Sequence, residues 1–241
     1  MASRTIRIID TETSGLDPAV DRVVEIALFD LIVGDDGEIA RGRRWSSLIN
    51  PEIPIPCTAS AIHDITDEMV KDAPTFRDVV DEWRSPAPFA FCAHNSRFDR
   101  SFIDPVPELP WICSYKVAIW LWPDCPSHSN ACLRYWLKLK LADDAGPRHR
   151  ASGDSYITAA IMRRALLTGA TIEQMIDVSS KPAVLPRLHF GMHAGKPIAD
   201  LPDSYLTWML RQDGMDEDAK NTAFVEMQRR RAGSGEYPDG R

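Results

Sequence analysis

Apolar residues come first in short β-branched runs and later in helical stripes. Residues 5–10 (TIRIID) and 22–33 (RVVEIALFDLIV) predict two strands, and 43–49 can supply a third. The run GDDG at 34–37 reads as the turn joining the second and third strands. After a proline-bearing loop over 50–65, Thr66 stands where it would cap a short helix with Asp67 and Glu68 in its first turn. Thr75, with Asp78 three residues on, opens the next helix, and Phe76, Val79, Val80 and Trp83 follow at positions i, i+3, i+4 and i+7. That stripe needs only a core to explain it. Residues 89–93 predict a short buried strand, Ser96 the start of a helix, and 111–113 a last strand. From Ala151 to about Thr168 the spacing of Ile157, Ile161, Met162, Ala165 and Leu166 predicts a long helix, with Gly169 as its stop. Strands first, then alternation of strand and helix, imply an α/β fold with a mixed sheet covered by helices.

The texture changes beyond that helix. Residues 1–170 read as one domain, and 171–187 as a helix, capped by Thr171 with Gln174, followed by a linker. Residues 188–231 read as a small C-terminal module of unassigned role, in which Tyr205 and Trp208 are expected to form the core. The last ten residues, AGSGEYPDGR at 232–241, are polar and Gly-rich and predict a disordered tail.

Composition narrows the class. Charged residues make up 26% and hydrophobic residues 44%, as in a water-soluble globular protein, and no apolar run approaches the roughly 18 residues of a membrane span. No membrane partner is expected, and the start does not read as a signal peptide, which places the chain in the cytoplasm. The five cysteines form no C-x-x-C pair, so buried free thiols are expected rather than zinc or disulfides. A net charge of −7 argues against tight non-specific duplex binding, but not against a chain whose acids are clustered on divalent metals.

Three segments carry candidate chemistry. Asp10 and Glu12 are two positions apart, so at a strand end they point to one side, and Thr13, Ser14 and Gly15 supply a close turn after them. The second segment is HNSRFD at 94–99, where a buried strand gives way to a helix; Ser96 as N-cap with Asp99 as its capping-box partner would be a purely structural account. The third is HRASGD at 149–154, at the opening of the long helix. Five positions turn a helix through about 140°, which leaves His149 on the lip before the helix and points Asp154 inward. Asp10, Glu12, Asp99 and Asp154 each lie at a strand end or helix start, where distant residues converge. Four converging acids suit two magnesium or manganese ions acting on a phosphodiester, with His149 placed to take a proton from water. Arg97, Arg100, Arg148 and Arg150 beside these motifs are candidates for phosphate contacts.

Taken jointly, D-x-E-T-x-G at 10–15, H-N-x-x-F-D at 94–99 and H-x-A-x-x-D at 149–154 resemble the DEDDh exonucleases over residues 5–168. The resemblance implies an RNase H-like fold, with Asp10, Glu12, Asp99 and Asp154 holding two Mg²⁺ or Mn²⁺ ions and His149 as general base. It also implies nucleotide contacts from Thr11, Thr13, Leu16, His63, Asn95 and Phe98. The implied reaction removes nucleoside 5′-monophosphates from the 3′ end of DNA, single-stranded or frayed from a duplex. An RNA-trimming enzyme of the same family and a non-catalytic nucleic-acid-binding protein are the alternatives. Asp64 departs from the pattern, because relatives often carry glycine or a basic residue there.

Overall fold

The computed structural model describes residues 3–103, 108–142, 146 and 149–233. Arg148, part of 143–148, and most of the 232–241 tail lie outside the described residues. Five strands form one sheet in the order β3-β2-β1-β4-β5. Strands β1 (Ser3–Thr13), β2 (Val23–Gly34) and β3 (Ile39–Leu48) pair antiparallel as a meander. Strands β4 (Ala90–Ala93) and β5 (Trp111–Cys113) then add in parallel to the other edge of β1. This is the mixed, helix-flanked sheet that the alternating pattern predicts. Strand β1 outruns its apolar run because Thr11, Glu12 and Thr13 go on pairing with Ile26, Glu25 and Val23, a backbone interaction indifferent to side-chain polarity.

Alternation along β1 decides what faces what. Ile6 and Ile8 join a core built with Tyr156, Ala159, Met162 and Ala165 of a long helix, α7 (Ala151–Leu167). Ile9 faces the other way, into a core with Trp83, Phe91, Ile103 and Trp111. Asp10 and Glu12 continue the even-numbered set and therefore emerge on the α7 side.

The helices in chain order are α1 (Cys57–His63), α2 (Asp67–Val70), α3 (Val80–Arg84), α4 (Ser96–Phe102), α5 (Ser114–Leu121), α6 (Asn130–Trp136), α7, α8 (Ile172–Ser180), α9 (Asp203–Arg211) and α10 (Glu217–Gly233). Both expected capping boxes form, Thr171 with Gln174 ahead of α8 and Thr75 with Asp78, although the second opens a 3₁₀ turn, Phe76–Val79, before α3. Thr66 occupies the N-cap position of α2 without a side-chain bond. Gly169 ends α7 at φ 92. Ser96 is not the N-cap of α4: Asn95 holds that position at φ 64, and Asp99 is turned away from the helix end.

Leu188, Ile198, Leu201, Leu206, Met209, Ala219 and Ala223 form a separate small core beyond the linker. Its helix α9 turns Leu206 and Met209 inward; Tyr205, half-buried, packs against this core as expected, whereas Trp208 is 43% exposed with its ring tilted against that of Tyr205. The linker is anchored along α10: Ala183 N–H donates to Asp218 at 2.7 Å and Leu185 N–H to the Thr222 hydroxyl at 2.8 Å. All five cysteines are free; Cys92, Cys113 and Cys125 are buried as expected, whereas Cys132 is half-buried and Cys57, at the surface start of α1, is exposed. Among the described residues, no helix is long and apolar enough to cross a membrane.

One buried ion pair ties the sheet together. Arg7 is fully buried; its Nε and Nη2 donate to the two carboxylate oxygens of Asp30 at 2.8 and 2.7 Å, and its Nη1 donates to the carbonyls of Trp83 and Pro86, both at 3.0 Å. Removing one partner of such a pair strands a desolvated charge, so Asp30→Ala is expected to cost about 3–5 kcal/mol. Urea denaturation of the variant measures this, and an unchanged midpoint would contradict it.

Candidate active site

The carboxylates meet because β1 and α7 end at the same place. Asp10 and Glu12 leave the end of β1 on the α7 side, and Asp154 lies in the first turn of α7. Each offers an oxygen within 4.8 Å of the others. Asp99, buried on α4, lies outside that set of three but near enough for its charge to act on Asp10. Its Oδ1 accepts from the Thr11 N–H at 3.0 Å and the Thr11 hydroxyl at 2.9 Å, so its position is set by β1 itself.

Crowding leaves an electrostatic signature. Burial raises Asp10 well above the ordinary carboxylate range, reinforced by the charges of Asp99, Asp154, Glu12 and Glu25. Glu12 is pushed up to about 8, first by burial and then by Asp154, Glu25 and Asp99, with Arg150 opposing. Asp99 rises to about 7 through burial, against the lowering effect of its Thr11 hydrogen bonds. A set of carboxylate oxygens alone, drawn together against their own repulsion, fits a hard divalent cation.

His149 lies on the lip before α7, exposed, in the left-handed region at φ 57, and its backbone N–H donates to Asp154 Oδ2 at 3.0 Å. Next to it, Arg150 is not a free phosphate contact. Its Nε and Nη2 donate to the two oxygens of Glu25 at 3.0 and 2.8 Å, and Glu25 Oε2 also accepts the first helical N–H, of Ala151, at 2.8 Å. Glu25 is buried on β2 directly opposite Glu12. It fastens the start of α7 to the sheet and adds a fifth carboxylate to the field of the site. The sequence reading missed it, although a lone acid inside the apolar run VVEIALF signals a buried charge that needs a partner.

The other residues expected to contact a nucleotide lie on β1, the turn after it, α1 and α4. Thr11 is engaged with Asp99, and the Thr13 hydroxyl donates to the Gly15 carbonyl at 2.6 Å. At Gly15 an added Cβ would meet the Asp21 carboxylate at 2.3 Å, so a larger residue there would have to displace the Asp21 side chain. Leu16, on that turn, is 83% exposed. His63 is buried at the end of α1, where Nδ1 accepts from the Ile65 N–H at 3.0 Å and Nε2 is buried without a hydrogen-bond partner. Burial lowers its pKa, which keeps the ring neutral. Asp64 takes the left-handed C-cap position of α1 at φ 58, a conformation that favours glycine and that Asp tolerates. Asn95 is exposed at the start of α4, and Phe98 is half-buried against Phe102 at 5.0 Å. His94 is bonded to Ser114 at 2.9 Å and pushed down to about 4 by burial, so it serves the core. Arg97 and Arg100 are exposed and, among the described residues, unpaired.

Residues 8–162 match the family described as Exonuclease (RNase_T). The chain is similar to exodeoxyribonuclease 10 of Escherichia coli (strain K12), with 38% identity over 90% of this chain and 96% of the relative. It also resembles the solved structure of exonuclease X in complex with 5′ overhanging duplex DNA, with 41% identity, a TM-score of 0.63, and coverage of 72% of this chain and 99% of that one. The nuclease domain of 3′hExo, a DEDDh family member bound to rAMP, shares the fold at 20% identity and a TM-score of 0.55, covering 69% of this chain and 93% of that one.

The raised carboxylates set a pH dependence. A carboxyl group whose folded pKa lies above its unfolded value takes up a proton on folding, so stability is full below the unfolded value and is lost as pH climbs through the folded one. For Glu12 the window runs from its ordinary 4.5 to about 8. In chelator, the thermal midpoint is expected to fall between pH 5 and pH 8, and less steeply in Glu12→Gln. A midpoint that rises over this range in both proteins would contradict it.

Proposed function

The chain belongs to the exonuclease family and is a 3′–5′ exonuclease, and we propose that it releases nucleoside 5′-monophosphates one at a time from the 3′ end of DNA, single-stranded or frayed from a duplex. The observation that carries this reading is the convergence of Asp10, Glu12 and Asp154 within 4.8 Å, with Asp99 held beside them through Thr11. Preference for DNA is supported by the 38% identity to an enzyme named an exodeoxyribonuclease and by the likeness to a DNA-bound exonuclease.

In this proposal Asp10, Glu12, Asp99 and Asp154 hold two Mg²⁺ or Mn²⁺ ions. When bound, such ions supply positive charge to the phosphate and lower the pKa of water. The protein's own residues do the rest. His149, exposed on the lip of α7 and fixed to Asp154 through its backbone, accepts the proton of the attacking water on a ring nitrogen. Asn95 and Leu16 border the terminal nucleotide from the α4 start and the turn after β1, with Thr11, Thr13, His63 and Phe98 shaping the pocket behind them. Residues 1–170 form the catalytic unit, and 188–231 an appended module.

Single-turnover rates on end-labelled DNA and a matched RNA in magnesium test the substrate and the base together. DNA is expected to be cut faster. His149→Ala is expected to keep its metal affinity and lose roughly 10²- to 10⁴-fold in rate. Faster cleavage of RNA would move the substrate assignment, and a wild-type rate in the alanine variant would remove His149 from catalysis.

A further inference from the structure

On the α7 side of the sheet, well along the helix from the carboxylates, α7 and the edge strand β3 border a groove of about 550 Å³. Every charged side chain lining it is a cation: Arg41, Lys138, Lys140, Arg163 and Arg164. Among the described residues, none of the five is paired with a carboxylate. Phe29, Leu31 and Leu139 supply apolar wall. The floor is Tyr156, 3% exposed, with the Arg41 guanidinium 5.3 Å and the Arg44 guanidinium 5.2 Å from the centre of its ring. Its hydroxyl is buried and has no hydrogen-bond partner.

These features point to an anion. Five cations gathered with no carboxylate partner among the described residues repel one another, and the arrangement is the more pronounced in a chain whose net charge is −7. A buried hydroxyl without a partner is likewise costly unless a ligand or water completes it. The cations are spread along the groove: Arg163 and Arg164 follow Tyr156 along α7, Arg41 lies on the facing strand, and Lys138 and Lys140 precede α7 in the chain. A row of charges suits a row of phosphates better than a single small anion.

The groove is also at a usable distance from the reaction centre. Arg163 follows Asp154 by nine residues on one helix, roughly 13 Å at about 1.5 Å per residue. At about 3.4 Å per nucleotide along one strand of a duplex, that is roughly four nucleotides. We propose that this cationic groove binds the phosphate backbone of the DNA substrate several nucleotides away from its scissile end. The inference rests on the DNA reading above and adds a second binding site to it. It accounts for how an acidic protein holds a polyanion: carboxylates gather at the reaction centre, and unpaired cations gather at a distance from it.

The test uses the full chain with Arg41→Glu, Lys138→Glu and Arg163→Glu combined, and the matching triple Gln variant, which removes charge without adding any. None of the three residues belongs to the catalytic set. Two probes are compared in magnesium: a DNA dinucleotide, too short to reach the groove, and a duplex of about 20 base pairs with a frayed 3′ end, long enough to cover it. The Glu variant is expected to lose at least about tenfold in kcat/KM on the duplex and to stay within about twofold of wild type on the dinucleotide, with the Gln variant between them. The slope of log KM against log salt for the duplex should fall by roughly 0.9 per phosphate contact removed. Unchanged duplex kinetics and salt slope in both variants would overturn the groove proposal, as would an equal loss on dinucleotide and duplex. Failure of the wild type to cut DNA while cutting RNA would instead overturn the DNA reading, so the two failures are distinguishable.

Discussion

Repulsion among carboxylates at the end of β1 is the constraint around which the rest of this chain is arranged. Asp10, Glu12 and Asp154 stand within 4.8 Å of one another, with buried Asp99 behind them. Left to themselves such groups separate or protonate. The fold holds them by rigid means. Strand β1 is paired on both edges, so the alternation that buries Ile6 and Ile8 against α7 also commits Asp10 and Glu12 to that side. Asp99 cannot withdraw, because Thr11, between the two strand acids, donates to it twice. Asp154 is fixed by α7, and α7 is fixed by Glu25, which takes both the Arg150 guanidinium and the Ala151 N–H. A carboxylate thus fastens in place the helix that brings another carboxylate into the cluster.

Much of this was legible in the sequence, and the parts that were not have specific physical causes. The order and spacing of the acidic motifs made the approach of Asp10, Glu12 and Asp154 legible, because strand ends and helix starts are read from hydrophobic periodicity. The path of β1 past Asp10 was hidden, since pairing of Thr11–Thr13 with β2 is a backbone matter that polar side chains do not advertise. Asn95 as the N-cap of α4 was hidden because its left-handed conformation depends on how β4 delivers the chain. Arg150 read as a phosphate contact because its partner, Glu25, lies 125 positions away on another element. Trp208 read as core because aromatic content suggests burial, yet the stripe of α9 that turns inward is Leu206 and Met209.

Net charge was the least informative quantity. The figure of −7 averages two opposite arrangements. Acids concentrate where β1 meets α7, and Arg41, Lys138, Lys140, Arg163 and Arg164 concentrate along the side of the same helix. Helix α7 therefore contributes a carboxylate from its first turn and two guanidinium groups from its later turns. For a protein acting on a polyanion, the local field at each position matters and the sum does not.

Burial and mutual repulsion raise these carboxylates toward protonation, so a divalent cation that binds them must displace protons. Calorimetric titration of Mn²⁺ into chelator-treated protein at pH 7, repeated in buffers of different ionisation enthalpy, counts the protons released on binding. Glu12, pushed up to about 8, is still largely protonated at that pH, so release of about one proton or more per protein is expected, diminished in Glu12→Gln. Binding without proton release, or no binding of the cation at all, would contradict the claim.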